Sequence, residues 1–292
     1  MSSAPHSRAV VQLILAALCW SIGGVLIKYI AWSPLAVAGA RGLIAALFLI
    51  ATNRGLKFHW SRWQLLAAVG YASTTLTFVM ATKATTAANA ILLQYTAPVW
   101  IALLGTWLLG EKVTRSDWIT IAAVFVGMGV FVYDGLKFTS LTGNLLALGS
   151  GFLFAMMTLL MRKQKDGSPV ESIILGNLLA FVVGIPALSA APALPVNGWL
   201  ALVLLGSVQL GLSYWLYARA IKQVTALEAV LIPVIEPLLN PLWVVFLNGE
   251  KPSLLALIGG VIVLGAVTLR ALTSLRTTRF KRPIAAEVAR TS

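Results

Sequence analysis

Residues 86–112 read TAANAILLQYTAPVWIALLGTWLLGEK, and residues 225–251 read TALEAVLIPVIEPLLNPLWVVFLNGEK. The two align without a gap, the second lying 139 residues after the first. Thr86 falls on Thr225, Ala87 on Ala226, Ala90 on Ala229 and Pro98 on Pro237. Gly110-Glu111-Lys112 falls on Gly249-Glu250-Lys251, and Lys83 falls on Lys222 just ahead of each segment. Chance supplies scattered apolar matches, but an ungapped segment closing on the same polar triplet points to an internal duplication. Earlier in each half, Ser33-Pro34 pairs with Ser168-Pro169.

The repeated segments sit in a chain that is apolar almost throughout. Of 292 residues, 59% are hydrophobic and 11% charged, with a mean hydropathy of +0.89. A water-soluble domain carries about 25% charged residues, so most of this surface is built to face lipid. Apolar runs cover 9–30, 34–52, 62–83, 86–109, 116–133, 143–161, 171–190, 199–219, 225–248 and 253–272. Each is long enough to cross a hydrocarbon layer of about 30 Å. Lipid offers no hydrogen bonds to the backbone, so the runs are predicted helices. The alternating segments of about ten residues that mark a membrane barrel are missing.

The predicted fold class is therefore an all-α polytopic membrane protein of ten transmembrane helices in two five-helix repeats, residues 1–140 and 141–272, followed by a basic tail, 273–292. Five is odd, so the second repeat inserts upside down relative to the first. Inverted repeats of this kind recur in secondary transporters.

Basic residues set the orientation. With the N-terminus cytoplasmic, the inner segments hold Arg8, Arg54, Lys57, Arg62, Lys112, Arg115, Arg162, Lys163, Lys165, Arg219, Lys222, Arg270, Arg276, Arg279, Lys281, Arg282 and Arg290. The outer ends hold only Lys28, Lys83, Lys137 and Lys251. This positive-inside bias predicts both termini in the cytoplasm. It also accounts for the net charge of +13 without nucleic acid as a partner; the expected partners are a lipid bilayer and a small-molecule substrate. Trp32, Trp60, Trp63, Trp118 and Trp199 fall at span ends, as interfacial anchors do. The first apolar run is as long as the others and lacks a cleavage site, so no cleaved signal is expected. Cys19 is the single cysteine and excludes an intrachain disulfide. The sequence leaves monomer and homodimer open.

The twice-repeated mid-helix proline followed by a terminal Gly-Glu, at Pro98–Glu111 and Pro237–Glu250, resembles the EamA-type members of the drug/metabolite transporter superfamily. Pro34 with Arg41 in the second helix also fits that pattern. The resemblance covers roughly residues 9–272 and implies a bacterial inner-membrane transporter. In length and layout the chain is similar to the YddG-type amino-acid exporters. It departs from the small multidrug relatives, whose first helix carries a coupling glutamate: the first helix here, ALCWSIGGVLIKYI, has no carboxylate.

Glu236 is the one acidic residue at the centre of a predicted span. A bare carboxylate there costs several kcal/mol unless paired, protonated or in contact with water. It reads equally as a substrate or proton ligand and as half of a structural pair with Arg41. By 1.5 Å per residue, Arg41 lies about 10 Å deep and Glu236 about 18 Å. Asn240 follows Glu236 on the same helix face. Pro233, Pro237 and Pro241 each remove a backbone donor and free the carbonyl four residues earlier, which places a kink and spare acceptors beside Glu236. Further candidates at mid-depth are Trp20, Ser21, Tyr71, Thr74, Thr75, Asn89, Gln94, Tyr95, Trp100, Gln209, Ser213 and Tyr214. Any one of these is more simply a helix-packing contact.

No catalytic motif, cofactor motif or metal-ligand cluster is present in the sequence, and a non-enzymatic role is expected. The leading expectation is export of apolar or aromatic amino acids by alternating access. The alternatives are proton-coupled export of cationic drugs and, from another class, a membrane scaffold or intramembrane enzyme. The orientation is tested by fusions after Ser292. Green fluorescent protein should fluoresce there and alkaline phosphatase should be inactive; the reverse pattern contradicts a cytoplasmic C-terminus.

Overall fold

The computed structural model describes residues 3–133, 140–167, 169–239 and 254–280. Helices follow one another with short connections and, among the described residues, no strand. They are α1 (Ser3–Ser21), α2 (Gly23–Tyr29), α3 (Pro34–Thr52), α4 (Arg62–Ala84), α5 (Ala87–Gln94), α6 (Ala97–Leu109), α7 (Arg115–Val132), α8 (Leu141–Lys163) and α9 (Pro169–Ser189). Next come α10 (Val196–Leu204), a π-helix (Leu205–Leu212), α11 (Ser213–Ala220), α12 (Ala226–Leu231) and a 3-10 turn (Ile232–Val234) that continues as helix to 239. The last is α13 (Leu254–Phe280).

Among the described residues, seven stretches are long and apolar enough to span a membrane: Pro5–Tyr29, Pro34–Thr52, Arg62–Ala84, Ala87–Leu109, Leu141–Lys163, Pro169–Ser189 and Val196–Ala220. Their outward faces carry exposed Leu47, Ile50, Val69, Leu103, Leu145, Val182, Leu200 and Val203, the surface that lipid requires. The chain is a multi-pass membrane protein. The remaining apolar runs correspond to α7, to the segment that begins with α12, and to α13. Asn240, Pro241 and Gly249-Glu250-Lys251 lie outside the described residues, as do Ser168, Lys137, Lys281, Arg282 and Arg290. The final helix runs eight residues past the Leu272 boundary expected from the sequence, to Phe280. Residues 273–280 contain no proline or glycine to stop it; Pro283 is the next residue that forbids a helix.

The residues shared by the two repeats have matching local jobs. Thr86 and Thr225 are N-caps, each hydroxyl accepting from the backbone N–H three residues on, at Asn89 and Glu228. Gly110 takes φ 70° and ends α6. Lys83 donates to the carbonyl of Ile30, and Lys222 donates to that of Gly167 (3.2 Å), so each lysine ties the approach to a broken helix to the end of an earlier one.

Packing repeats the same correspondence. α3 packs on α9, and α7 packs on α13. The contact of α4 with α8 is mirrored by that of α11 with α1, and α4 on α9 is mirrored by the π-helix on α3. The second half thus repeats the pairwise packing of the first.

The α3–α9 crossing is a close one. A Cβ on Gly39 would meet the Gly184 Cα at 2.9 Å, and one on Gly184 would meet the Gly39 Cα at 2.7 Å. Only two glycines let the backbones come this near. Gly39→Ala should therefore destabilise by about 1–3 kcal/mol through overpacking. Gly129→Ala, which meets nothing within 4 Å, should not destabilise. Thermal unfolding in detergent compares the two; equal behaviour contradicts the close crossing.

Candidate functional site

Two of the spanning segments are broken at prolines. Pro98 lacks the N–H that the carbonyl of Gln94 would receive, and the helix stops at Gln94 and restarts at Ala97. Tyr95 sits in the gap. In the second repeat Pro237 leaves the carbonyl of Pro233 without its usual partner, inside the 3-10 turn. The Tyr95 hydroxyl joins the two breaks: it lies 2.6 Å from the Pro233 carbonyl oxygen and 2.9 Å from Glu236 Oε2. A phenol has one proton, and a carbonyl only accepts. Tyr95 therefore donates to one of the two at a time. When it donates to Pro233, its contact with Glu236 is a hydrogen bond only if Glu236 supplies the proton.

Beside this contact is a small cavity of about 30 Å³. Its lining comes from seven parts of the chain: Trp20; Arg41; Thr74, Thr75 and Phe78; Gln94 and Tyr95; Phe154; Gln209, Leu210 and Tyr214; and Glu236. Arg41 and Glu236 are nearly inaccessible to solvent, at 1% and 7% exposure. They do not pair with each other. Among the described residues the ion pairs are His6 with Glu228, Arg162 with Glu111, and Arg270 with Asp117. Arg41 instead donates to Gln209 Oε1 and to the Thr75 carbonyl, both at 3.2 Å.

Several polar groups are already spent. Thr74 and Thr75 donate to the carbonyls of Gly70 and Ala72 in their own helix. Gln94 Nε2 donates to Ser150 Oγ at 2.8 Å, and Ser150 donates on to the Thr74 carbonyl. The wall is otherwise aromatic. Trp20 packs against Tyr214 and Phe154 with ring centroids 5.0 and 6.1 Å apart.

The cavity brings together Trp20, Arg41, Thr74, Thr75, Gln94, Tyr95, Gln209, Tyr214 and Glu236 from the sequence candidates. The Pro233 carbonyl accepts from Tyr95 but is not part of the wall, and Pro237 is buried beside Glu236. Ser21 is buried but turned to the Leu18 carbonyl. Tyr71 lies behind Tyr214, bonded to Asn177. Asn89 is at the start of α5, donating to Thr85. Trp100 is 37% exposed and packs on Phe152, on the outside of the bundle. Depth along a span does not report which way a side chain faces, and these four are separated from the cavity by rotation about their helices. Phe78, Phe154 and Leu210 are wall residues that no polar or charge signal marks. In the repeat Gly176 stands where Arg41 stands in the first half; a Cβ there would meet the Ala68 carbonyl oxygen at 2.6 Å and the Tyr71 ring at 2.7 Å. The second copy has no room for an arginine.

Residues 7–133 and 141–271 each match the model of the EamA-like transporter family. The chain belongs to the EamA-like transporter family. This EamA-like chain is 30% identical to an uncharacterized transporter of Archaeoglobus fulgidus over 90% of its own length and 97% of that protein's. It is 22% identical to the uncharacterized transporter YxxF of Bacillus subtilis over 92% and 91% of the two chains. A solved crystal structure superposes with a TM-score of 0.77 over 93% of this chain and 99% of its own. At 20% identity that likeness shows the fold alone. The family places the chain in the drug/metabolite transporter superfamily and makes it a membrane transporter.

Tyr95→Phe removes the only proton shared by the Pro233 carbonyl and Glu236 while keeping the ring. Leaving a buried acceptor bare costs about 1–3 kcal/mol. Thermal unfolding should register that loss; unchanged stability contradicts a bridge between the two broken helices.

Proposed function

We propose that the chain is a secondary transporter that exports small amino acids, apolar or aromatic, across the bacterial inner membrane. Ten spans form two inverted five-helix halves, and exchange of their conformations opens the central cavity to either side in turn. Both termini are cytoplasmic in this reading. The observation that carries it is the cavity's pair of buried ionisable residues, Arg41 and Glu236, which face one space without neutralising each other. An amino acid offers the complement of both: a carboxylate for Arg41 and an ammonium for Glu236. The aromatic wall of Trp20, Phe78, Phe154 and Tyr214 suits an apolar side chain and adds attraction for a cation. The YddG-type layout noted in the sequence is in keeping with this substrate class.

A second reading, proton-coupled export of cations, draws on the Tyr95 hydroxyl. With two acceptors around one proton, Glu236 is placed to take up or release a proton as its other contacts change. The scaffold and enzyme alternatives have no matching observation, and a scaffold has no use for the cavity.

Reconstituted in liposomes, the protein should accelerate phenylalanine flux over empty vesicles. Arg41→Gln and Glu236→Gln should each lower that flux about tenfold, since a charged hydrogen bond is worth ~1.5–3 kcal/mol and 1.4 kcal/mol is tenfold. No amino-acid flux above empty vesicles contradicts the proposal. If Glu236→Gln also abolishes a pH dependence of cation efflux, the second reading is favoured; a pH profile that does not change excludes it.

A further inference from the structure

The guanidinium of Arg41 has five N–H donors, and two are accounted for by Gln209 and the Thr75 carbonyl. Its Nε is buried with no partner among the described residues. Trp20 Nε1 is likewise buried and without a partner. Both residues line the same cavity. A buried indole N–H ordinarily finds an acceptor, and a buried guanidinium ordinarily finds a counter-charge. Here two unspent donors and one positive charge without an ion-pair partner among the described residues belong to the lining of one cavity.

The surroundings hold both donors in place. The Trp20 ring is packed among Phe154, Tyr214 and Tyr217, with centroids 5.0–6.1 Å away. Gln209 holds Arg41 through its oxygen, and its Nε2 lies only 2.8 Å from where a Cβ on Gly23 would be. Gly23 is three residues beyond Trp20, so Gln209 connects the arginine to the part of the chain that carries the indole. Gln209 itself belongs to the π-helix, and such insertions are frequent at functional sites because they re-aim a side chain.

We infer that Arg41 and Trp20 form a carboxylate-binding subsite, in which one carboxylate takes the Arg41 Nε–H and the Trp20 indole N–H on its two oxygens, with Gln209 as a positioning residue. The inference rests on the transport reading and names the group by which the cavity selects its substrate. A carboxylate is the matching anion on three counts. Its single charge balances one guanidinium. Its two oxygens can each accept from one of the two donors. The apolar wall accepts the organic part that a carboxylate carries. A phosphate dianion would need a second cation, and among the lining residues Arg41 is the sole basic one. Water satisfies an N–H but leaves the charge unbalanced.

The test is equilibrium binding to the full chain in lipid nanodiscs, with four probes that share a benzyl group. Phenylalanine carries both charges, hydrocinnamate only the carboxylate, and phenylalaninamide and phenethylamine only the ammonium. The subsite predicts that phenylalanine and hydrocinnamate bind, and that the amide binds at least about tenfold more weakly than phenylalanine. Trp20→Phe keeps an aromatic side chain and removes the indole N–H. It should weaken both carboxylate probes by about tenfold more than it weakens phenethylamine, with thermal unfolding confirming that the variant folds. Acid and amide binding equally well overturns the subsite and leaves amino-acid transport standing. Hydrocinnamate binding without phenylalanine supports the subsite and overturns the amino-acid reading. If no carboxylate probe binds, the subsite is overturned, and phenylalanine flux in liposomes judges the transport reading separately.

Discussion

Tyr95 makes one contact on which the centre of this molecule depends. Prolines at equivalent places in the two halves, Pro98 and Pro237, remove a backbone donor in the middle of a spanning helix. Such a gap is tolerated in a membrane only where protein or a water-filled space takes up the freed carbonyl. Tyr95 stands in the first break and reaches the Pro233 carbonyl of the second. In doing so it holds the Glu236 carboxyl at the wall of the cavity. The breaks, the buried acid and the open space between the halves are one arrangement. An unbroken helix on either side would remove the freed carbonyl, the gap that admits Tyr95, or both.

Around that centre the two halves agree in scaffold and differ in charge. Threonine caps, lysine tethers and helix pairings recur from one half to the other. Glu111 adds a bond between them, accepting from Arg162 Nε and from the Ala226 backbone N–H, both at 2.8 Å. It thereby closes the first repeat onto the start of the second repeat's broken helix. Arg41 and Glu236 have no counterparts. Gly176 in place of Arg41 lets α9 lie against Tyr71 and Ala68, and Ala97 in place of Glu236 begins α6. In the proposed transport reading, the duplicated frame supplies two related conformations and the unmatched charges give the space between them a chemical preference.

Much of this was legible in the sequence, for physical reasons. Hydropathy locates spans because lipid penalises every exposed polar group. The 86–112 and 225–251 match marks the broken helices because proline chemistry is local. Glu236 stands out because a mid-span carboxylate is expensive. Rotation about a helix is set by packing, and spacing along one span does not reveal it. Trp100 and Tyr95, five residues apart, therefore differ: one faces outward against Phe152 and the other faces the second half. The absence of an Arg41–Glu236 ion pair is likewise a matter of geometry between helices. Phe78, Phe154 and Leu210 carry no signal at all, since an apolar residue is the expected occupant of any position in such a chain.

The central claim is that the space beside Arg41 and Glu236 is the path by which solute crosses. Replacing Cys19 by alanine and Thr75 by cysteine places a single thiol on the cavity wall. A membrane-impermeant maleimide can then be applied to right-side-out and to inverted vesicles. Alternating access predicts labelling from both sides, slowed from each by phenylalanine. Labelling from one side only, or labelling that phenylalanine leaves unaffected, would contradict it.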